Sequence, residues 1–226
     1  MMWAASFDIG KKNFSFYIEE FSPDDLCIED VDKSEKYNPC GTPTDKFSPV
    51  LDNVCKSGQK ILLENIDLTK GCDDKKYLDT KVLYNMIELL DDYEEYWKQC
   101  DIFVIEKQMS FGQRHNTMAL KIGQHCWSYF AIKYPKSRIE EFPAYHKTQV
   151  LGAAKIEKIT KSGKKTYKAI DKPSRKKWCI AKAIDILRLR NDIATIEIIQ
   201  KSRKKDDLCD VICQLQSYKY LTYTCI

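Results

Sequence analysis

The run Asp-Ile-Phe-Val-Ile-Glu at 101–106 packs four β-branched or aromatic positions between two charges, and helical patterns stand on both sides of it. A run this short and apolar reads as a strand buried on both faces, a kind of strand that occurs where helices cover a sheet. Before it, 76–97 (KYLDTKVLYNMIELLDDYEEYW) spaces its apolar residues at three and four; after it, a helix is predicted over about 114–133, then a strand near 138–142 closed by Pro143. The chain is therefore expected to build an α/β sheet around 101–106.

The N-terminal end supplies more strands. Residues 2–9 (MWAASFDI) and 13–19 (NFSFYIE) are separated by Gly10-Lys11-Lys12, a hairpin-length turn, and 27–33 (CIEDVDK) reads as a third strand. From 35 to 75 the chain is rich in Pro and Gly and is expected to be an insertion, with only a short apolar piece at Ile61 to Leu63. The stretch 152–173, with two glycines and seven lysines, reads as a mobile basic loop; helices are predicted at about 174–190 and 205–221. Five strands in a meander-then-alternating order imply a mixed sheet with helices on both faces, in a single domain spanning 1–226.

Composition narrows the setting. At 226 residues and 43% hydrophobic the chain can bury a core, and no apolar run is long enough to span a membrane. The ten cysteines are scattered without a C-x-x-C pair, so free thiols in a reducing compartment are the expectation, and MMWAASFDIG shows no export or organelle address. Residues 133–205 hold 21 of the 37 Lys+Arg but 7 of the 33 Asp+Glu, a local excess of 14 positive charges against 10 negative on the remainder. Such polarity fits a solvated face or a polyanionic partner.

Four acids invite chemistry. Asp8 ends the first strand among Trp3, Ala5, Phe7 and Ile9, where it either caps a turn or serves a site. Glu106 ends the buried run; a bond to Lys107 is the plain alternative, although Lys107 should face the other way. In 201-KSRKKDDLCDVICQLQSY-218, Asp207 and Asp210 share a helix face, and Asp210 sits among Leu208, Val211, Ile212 and Leu215. A macrodipole role accounts for Asp206 and Asp207 better than for Asp210. With only His115, His125 and His146 in the chain, this hard-oxygen set suits Mg²⁺ or Mn²⁺ rather than zinc.

The motifs FDIG, IEKQ and KKDDLCD, in that order on strand, strand and helix, resemble the RNase H-like superfamily, and within it the RuvC-like Holliday junction resolvases of poxviruses, iridoviruses and related large DNA viruses. The resemblance spans nearly the whole chain apart from 35–75 and 152–173. It implies an RNase H-like fold and a homodimeric endonuclease that resolves four-way DNA junctions by paired cuts, leaving 5′-phosphate and 3′-hydroxyl ends, in the cytoplasm of an infected cell. It places the metal ligands on Asp8, Glu106, Asp207 and Asp210, with two ions in each active site, and Lys147 near the scissile phosphate. Asp206 matches the first acid of the family's pair.

Lys155, Lys158, Lys161, Lys164, Lys165, Lys168, Arg175, Lys176 and Lys177 are then candidates for phosphate contacts, as are Lys204 and Lys205. Phe111 is a candidate wedge at the branch point, though an aromatic there also suits a core. Actin-like phosphotransferases also begin with D-x-G, but this chain has no late glycine-rich phosphate loop. A non-catalytic junction-binding protein of the same fold is the other alternative.

Overall fold

A computed structural model describes residues 1–72, 78–108 and 116–224. In chain order its elements are β1 (Met2–Asp8), β2 (Phe14–Phe21), α1 (Ser48–Lys56), β3 (Gln59–Ile66), α2 (Thr80–Asp92), α3 (Glu94–Trp97), β4 (Cys100–Lys107), α4 (Thr117–Lys133), β5 (Arg138–Pro143), α5 (Tyr145–Val150), β6 (Ile156–Ile159), β7 (Lys165–Lys168), α6 (Lys172–Leu189), α7 (Ile193–Lys201) and α8 (Lys205–Tyr223), with a 3₁₀ turn at Asp24–Leu26. They form two compact units, Met1–Phe21 with Gln59–Ala144, and Ser22–Gly58 with Tyr145–Ile226.

The first unit is a five-stranded sheet of order β3-β2-β1-β4-β5. The pairs β1–β2 and β2–β3 are antiparallel, and β1–β4 and β4–β5 are parallel. The sheet is mixed, as the strand pattern predicts. Alternation sends Ala5, Phe7, Phe16, Ile18, Phe103 and Ile105 to one face, where they pack with Met86, Leu90, Trp97, Ile122 and Phe130 from the helices α2 to α4. Phe103 and Phe130 stack at 4.0 Å, and the buried Trp97 donates its indole N–H to Leu90 O at 2.7 Å. Burying an indole without that acceptor would be costly.

The second unit is built on α8, which packs on α1, α5, α6 and α7. Arg190 Nε donates to Cys55 O at 2.6 Å and Lys219 Nζ to Ser57 O at 2.5 Å, so two cations satisfy carbonyls at the C-terminal end of α1. Lys36 bonds Asp30 at 2.5 Å and the Tyr220 hydroxyl at 2.8 Å, tying 30–36 to α8.

Several expectations need correction. The stretch 27–33 is not a strand: it carries Glu29, Asp30 and Asp32, poor strand formers, and Asp30 is used to hold Lys36 and Tyr220. Its place beside β2 belongs to β3, eight residues inside the region read as an insertion, which also contains α1. The predicted helix 76–97 is two helices meeting at Tyr93, and residues 73–77 lie outside the described residues. The basic loop is the antiparallel hairpin β6–β7, because Ile156, Ile159, Thr166 and Tyr167 supply strand-forming residues between the lysines. Helices α5 and α7 have no counterpart in the sequence reading.

Candidate active site

The first unit brings two of the acids together. In the parallel register Phe7 lies beside Ile105, and both point into the aromatic core, so the next residues, Asp8 and Glu106, turn to the opposite face at the C-terminal ends of adjacent strands. Their backbones are separated by one strand spacing of about 4.8 Å. Lys107 faces away from Glu106 and approaches Glu141 at 3.8 Å. The alternative bond between Glu106 and Lys107 is thereby replaced by a pair on the core-side face of the strand.

The second unit gathers the rest. Asp206, Asp207 and Asp210 occupy the first two turns of α8. Asp206 is bonded to Lys176 of α6; burial lifts its carboxyl, but the Lys176 ammonium holds it below the usual range, while Lys176 is itself raised. Asp207 is different. Its Oδ2 is buried and has no hydrogen-bond partner among the described residues, and burial, with Asp206 as the next cause, pushes its carboxyl up to about 6. A helix N-terminus stabilises a carboxylate, so a shift of this size means that lost hydration outweighs the macrodipole here.

Asp210 is held from two sides. Lys147, on α5, sets Nζ 3.4 Å from Asp210 Oδ1, and the Cys179 thiol donates to the same oxygen at 3.0 Å. Lys147 has only 8% of its side chain exposed, which sets it apart from the surface lysines of the basic segment. Cys179 carries no motif that sequence reasoning could have found; its Cys-Ile-Ala-Lys context reads as ordinary helix interior. The neighbouring Cys213 and burial push its thiol well up, so it stays protonated.

Asp8 and Glu106 in the first unit, and Asp207 and Asp210 in the second, are oxygen donors of the kind that suits a hard divalent cation, and Asp207 presents a desolvated oxygen that a cation would satisfy. Among the described residues no group of three or more His, Cys, Asp or Glu is gathered as a metal site. No helix among them is long and apolar enough to cross a membrane.

The basic candidates all fall in the second unit. Lys155 precedes β6, Lys158 lies in it, Lys161 and Lys164 occupy the hairpin turn, and Lys165 and Lys168 lie in β7; all are exposed. Arg175 and Lys177 are exposed on the first turns of α6, whereas Lys176 is committed to Asp206 and Lys165 to Glu157 at 3.0 Å. Lys204 caps α8 and Lys205 begins it. Phe111 lies outside the described residues.

No family model matches the chain. It is 35% identical over 97% of its length to uncharacterized protein 170L of Invertebrate iridescent virus 6, covering 89% of that protein, and 30% identical over 95% to uncharacterized protein 97L of Invertebrate iridescent virus 3, covering 98%. Among solved structures it resembles Fowlpox virus resolvase in complex with substrate Holliday junction DNA (TM-score 0.54, 18% identity, 96% of this chain and 97% of that one). It also resembles T. thermophilus RuvC in complex with a Holliday junction substrate (0.52, 9%, 97% and 94%) and the yeast mitochondrial Holliday junction resolvase Ydc2 (0.51, 11%, 96% and 78%). The fold is the RNase H-like fold of these resolvases.

Proposed function

The chain belongs to the family of iridovirus proteins that includes 170L and 97L, and we propose that it is a structure-selective endodeoxyribonuclease that resolves four-way DNA junctions. The observation that carries the reading is Asp207, a half-buried aspartate whose Oδ2 is buried with no hydrogen-bond partner among the described residues and whose carboxyl is pushed up to about 6, one helical turn from Asp210. Folding rarely leaves such a group without a compensating role.

In this reading Asp8, Glu106, Asp207 and Asp210 would hold two Mg²⁺ or Mn²⁺ ions, and such ions would supply positive charge for the attacking and leaving oxygens of an in-line displacement. The protein's own part is positional. Strand ends of β1 and β4 fix Asp8 and Glu106, while α8 fixes Asp207 and Asp210. The Cys179 thiol and the Lys147 ammonium engage Oδ1 of Asp210, which orients the carboxylate and leaves Oδ2 to face a ligand. Lys147 adds a cation toward the phosphate being cut, and the exposed lysines of the β6–β7 hairpin and α6 hold the junction arms by their backbones. Two symmetric cuts call for two active sites, hence a homodimer, acting in the cytoplasm of an infected cell.

The test separates binding from cutting. Asp8→Asn and Asp210→Asn are expected to bind a labelled four-way junction as wild type does in EDTA, and to lose cleavage in Mg²⁺ by about 10³-fold or more. Asp8→Asn cutting at the wild-type rate would remove the acids from the mechanism.

A further inference from the structure

Helix α5 has a second face. At 100° per residue, Tyr145, Thr148 and Gln149 lie together, and Lys147 lies on the opposite side with its contact to Asp210. The first group lines a cavity of about 370 Å³ within the second unit, closed by Tyr37, Lys155 and Arg175. The proposed cleavage chemistry uses none of its lining residues, of which Lys155 and Arg175 are also candidates for phosphate contacts.

Its walls are fixed. The Tyr37 hydroxyl donates to Val150 O at 2.7 Å, and Lys155 N donates to Cys40 O at 2.6 Å, which clamps the 37–43 turn against the start of the basic hairpin. Gly152 has φ +77°, and a Cβ there would meet Pro43 Cδ at 2.3 Å, so the close approach of the two walls requires glycine. Tyr145 is 50% exposed at the rim, and Lys155 and Arg175 are exposed beside it.

We infer that this cleft binds one unpaired deoxynucleotide of the DNA substrate and gives the enzyme a base preference near the cut. The inference rests on the nuclease reading of the Lys147–Asp210 face. The volume lies at the low end for small-ligand sites, with room for a single nucleotide and none for duplex. Aromatic surface for a base, an amide at Gln149 that both donates and accepts, and two cations for a phosphate are the elements of single-strand recognition. The cleft lies across α5 from Asp210, a helix diameter of about 10 Å. A nucleotide held there would lie within a few nucleotides of a phosphate bound on the Asp210 side of the helix.

The probe is a fluorescein-labelled single-stranded tetranucleotide, with dTMP as competitor, titrated against the full chain in EDTA by anisotropy. Wild type is expected to bind it, Tyr145→Ala to weaken binding about tenfold to a hundredfold, Tyr145→Phe to restore it, and Arg175→Ala to weaken both the oligonucleotide and dTMP. Junctions varied in turn at each of the bases flanking the cut then report the ratio of cutting among sequences. Tyr145→Ala is expected to flatten that ratio and Tyr145→Phe to keep it. Oligonucleotide affinity that is unchanged in Tyr145→Ala and Arg175→Ala overturns the inference, as does a ratio that survives Tyr145→Ala. The titration needs no cleavage: Tyr145-dependent binding by a protein that never cuts a junction would sink the nuclease reading and leave the cleft.

Discussion

Lys147 on α5 holds its ammonium 3.4 Å from Asp210 Oδ1 on α8, with 8% of the lysine side chain and 28% of the aspartate exposed. A largely desolvated lysine left beside a carboxylate is a contact that breaks badly if one partner is lost. Lys147→Met is expected to lower unfolding free energy by about 1–2 kcal/mol, less than for a fully buried pair because Asp210 is partly solvated. It is also expected to slow single-turnover junction cleavage about 100-fold or more. A double-mutant cycle with Asp210→Asn, read by urea unfolding, should show coupling of about 1 kcal/mol. Additive effects would mean that the two residues do not interact.

Asp207 should make the metal-free protein less stable. Burial, with Asp206 beside it, pushes its carboxyl in the folded protein up to about 6, from 3.8 for an ordinary aspartate. Raised above its unfolded value, the group carries no penalty below about pH 4; the penalty grows between about pH 4 and 6 and is complete above that. In EDTA at pH 8, Asp207→Asn is expected to be about 1–2 kcal/mol more stable than wild type, with the difference closing toward pH 4. The same variant is expected to lose junction cleavage. A destabilised Asp207→Asn at pH 8 would contradict the assignment of a cost to this carboxylate.

The basic hairpin makes a prediction in salt. Lys161 and Lys164 sit exposed at its turn, whereas Lys165 shares its charge with Glu157 at 3.0 Å. Changing Lys161 and Lys164 together to alanine is expected to reduce the slope of log affinity against log salt by about 2, and Lys165→Ala by less than 1. Anisotropy of a labelled junction across a salt series reads the slopes; equal slopes in all proteins would remove the hairpin from the DNA surface.

The sheet of the first unit was legible where local chemistry repeats a pattern. FDIG and IEKQ mark the last residues of β1 and β4 because a charge after a buried apolar run belongs near a strand end, and alternation with the parallel register places Asp8 and Glu106 on one face. The strand β3 was hidden because prolines and glycines on either side made 35–75 look irregular, although QKILLENI carries enough apolar residues to be an edge strand. Lys147 was identified only through a family motif, and its burial could not be read: a lysine among twenty other cations in 133–205 has no local mark of the tertiary contact with Asp210. Cys179 was invisible for the same reason, since a thiol bonded to a carboxylate 31 residues away leaves no periodic trace.

The central claim is that this chain cuts branched DNA, and the direct measurement incubates the purified protein with a four-way junction labelled on each strand in turn, in Mg²⁺, beside a linear duplex of the same sequence. Paired, symmetric nicks in the junction with ligatable 5′-phosphate ends, and an intact duplex, are expected. A junction that is bound but left uncut by the wild-type protein would contradict the claim.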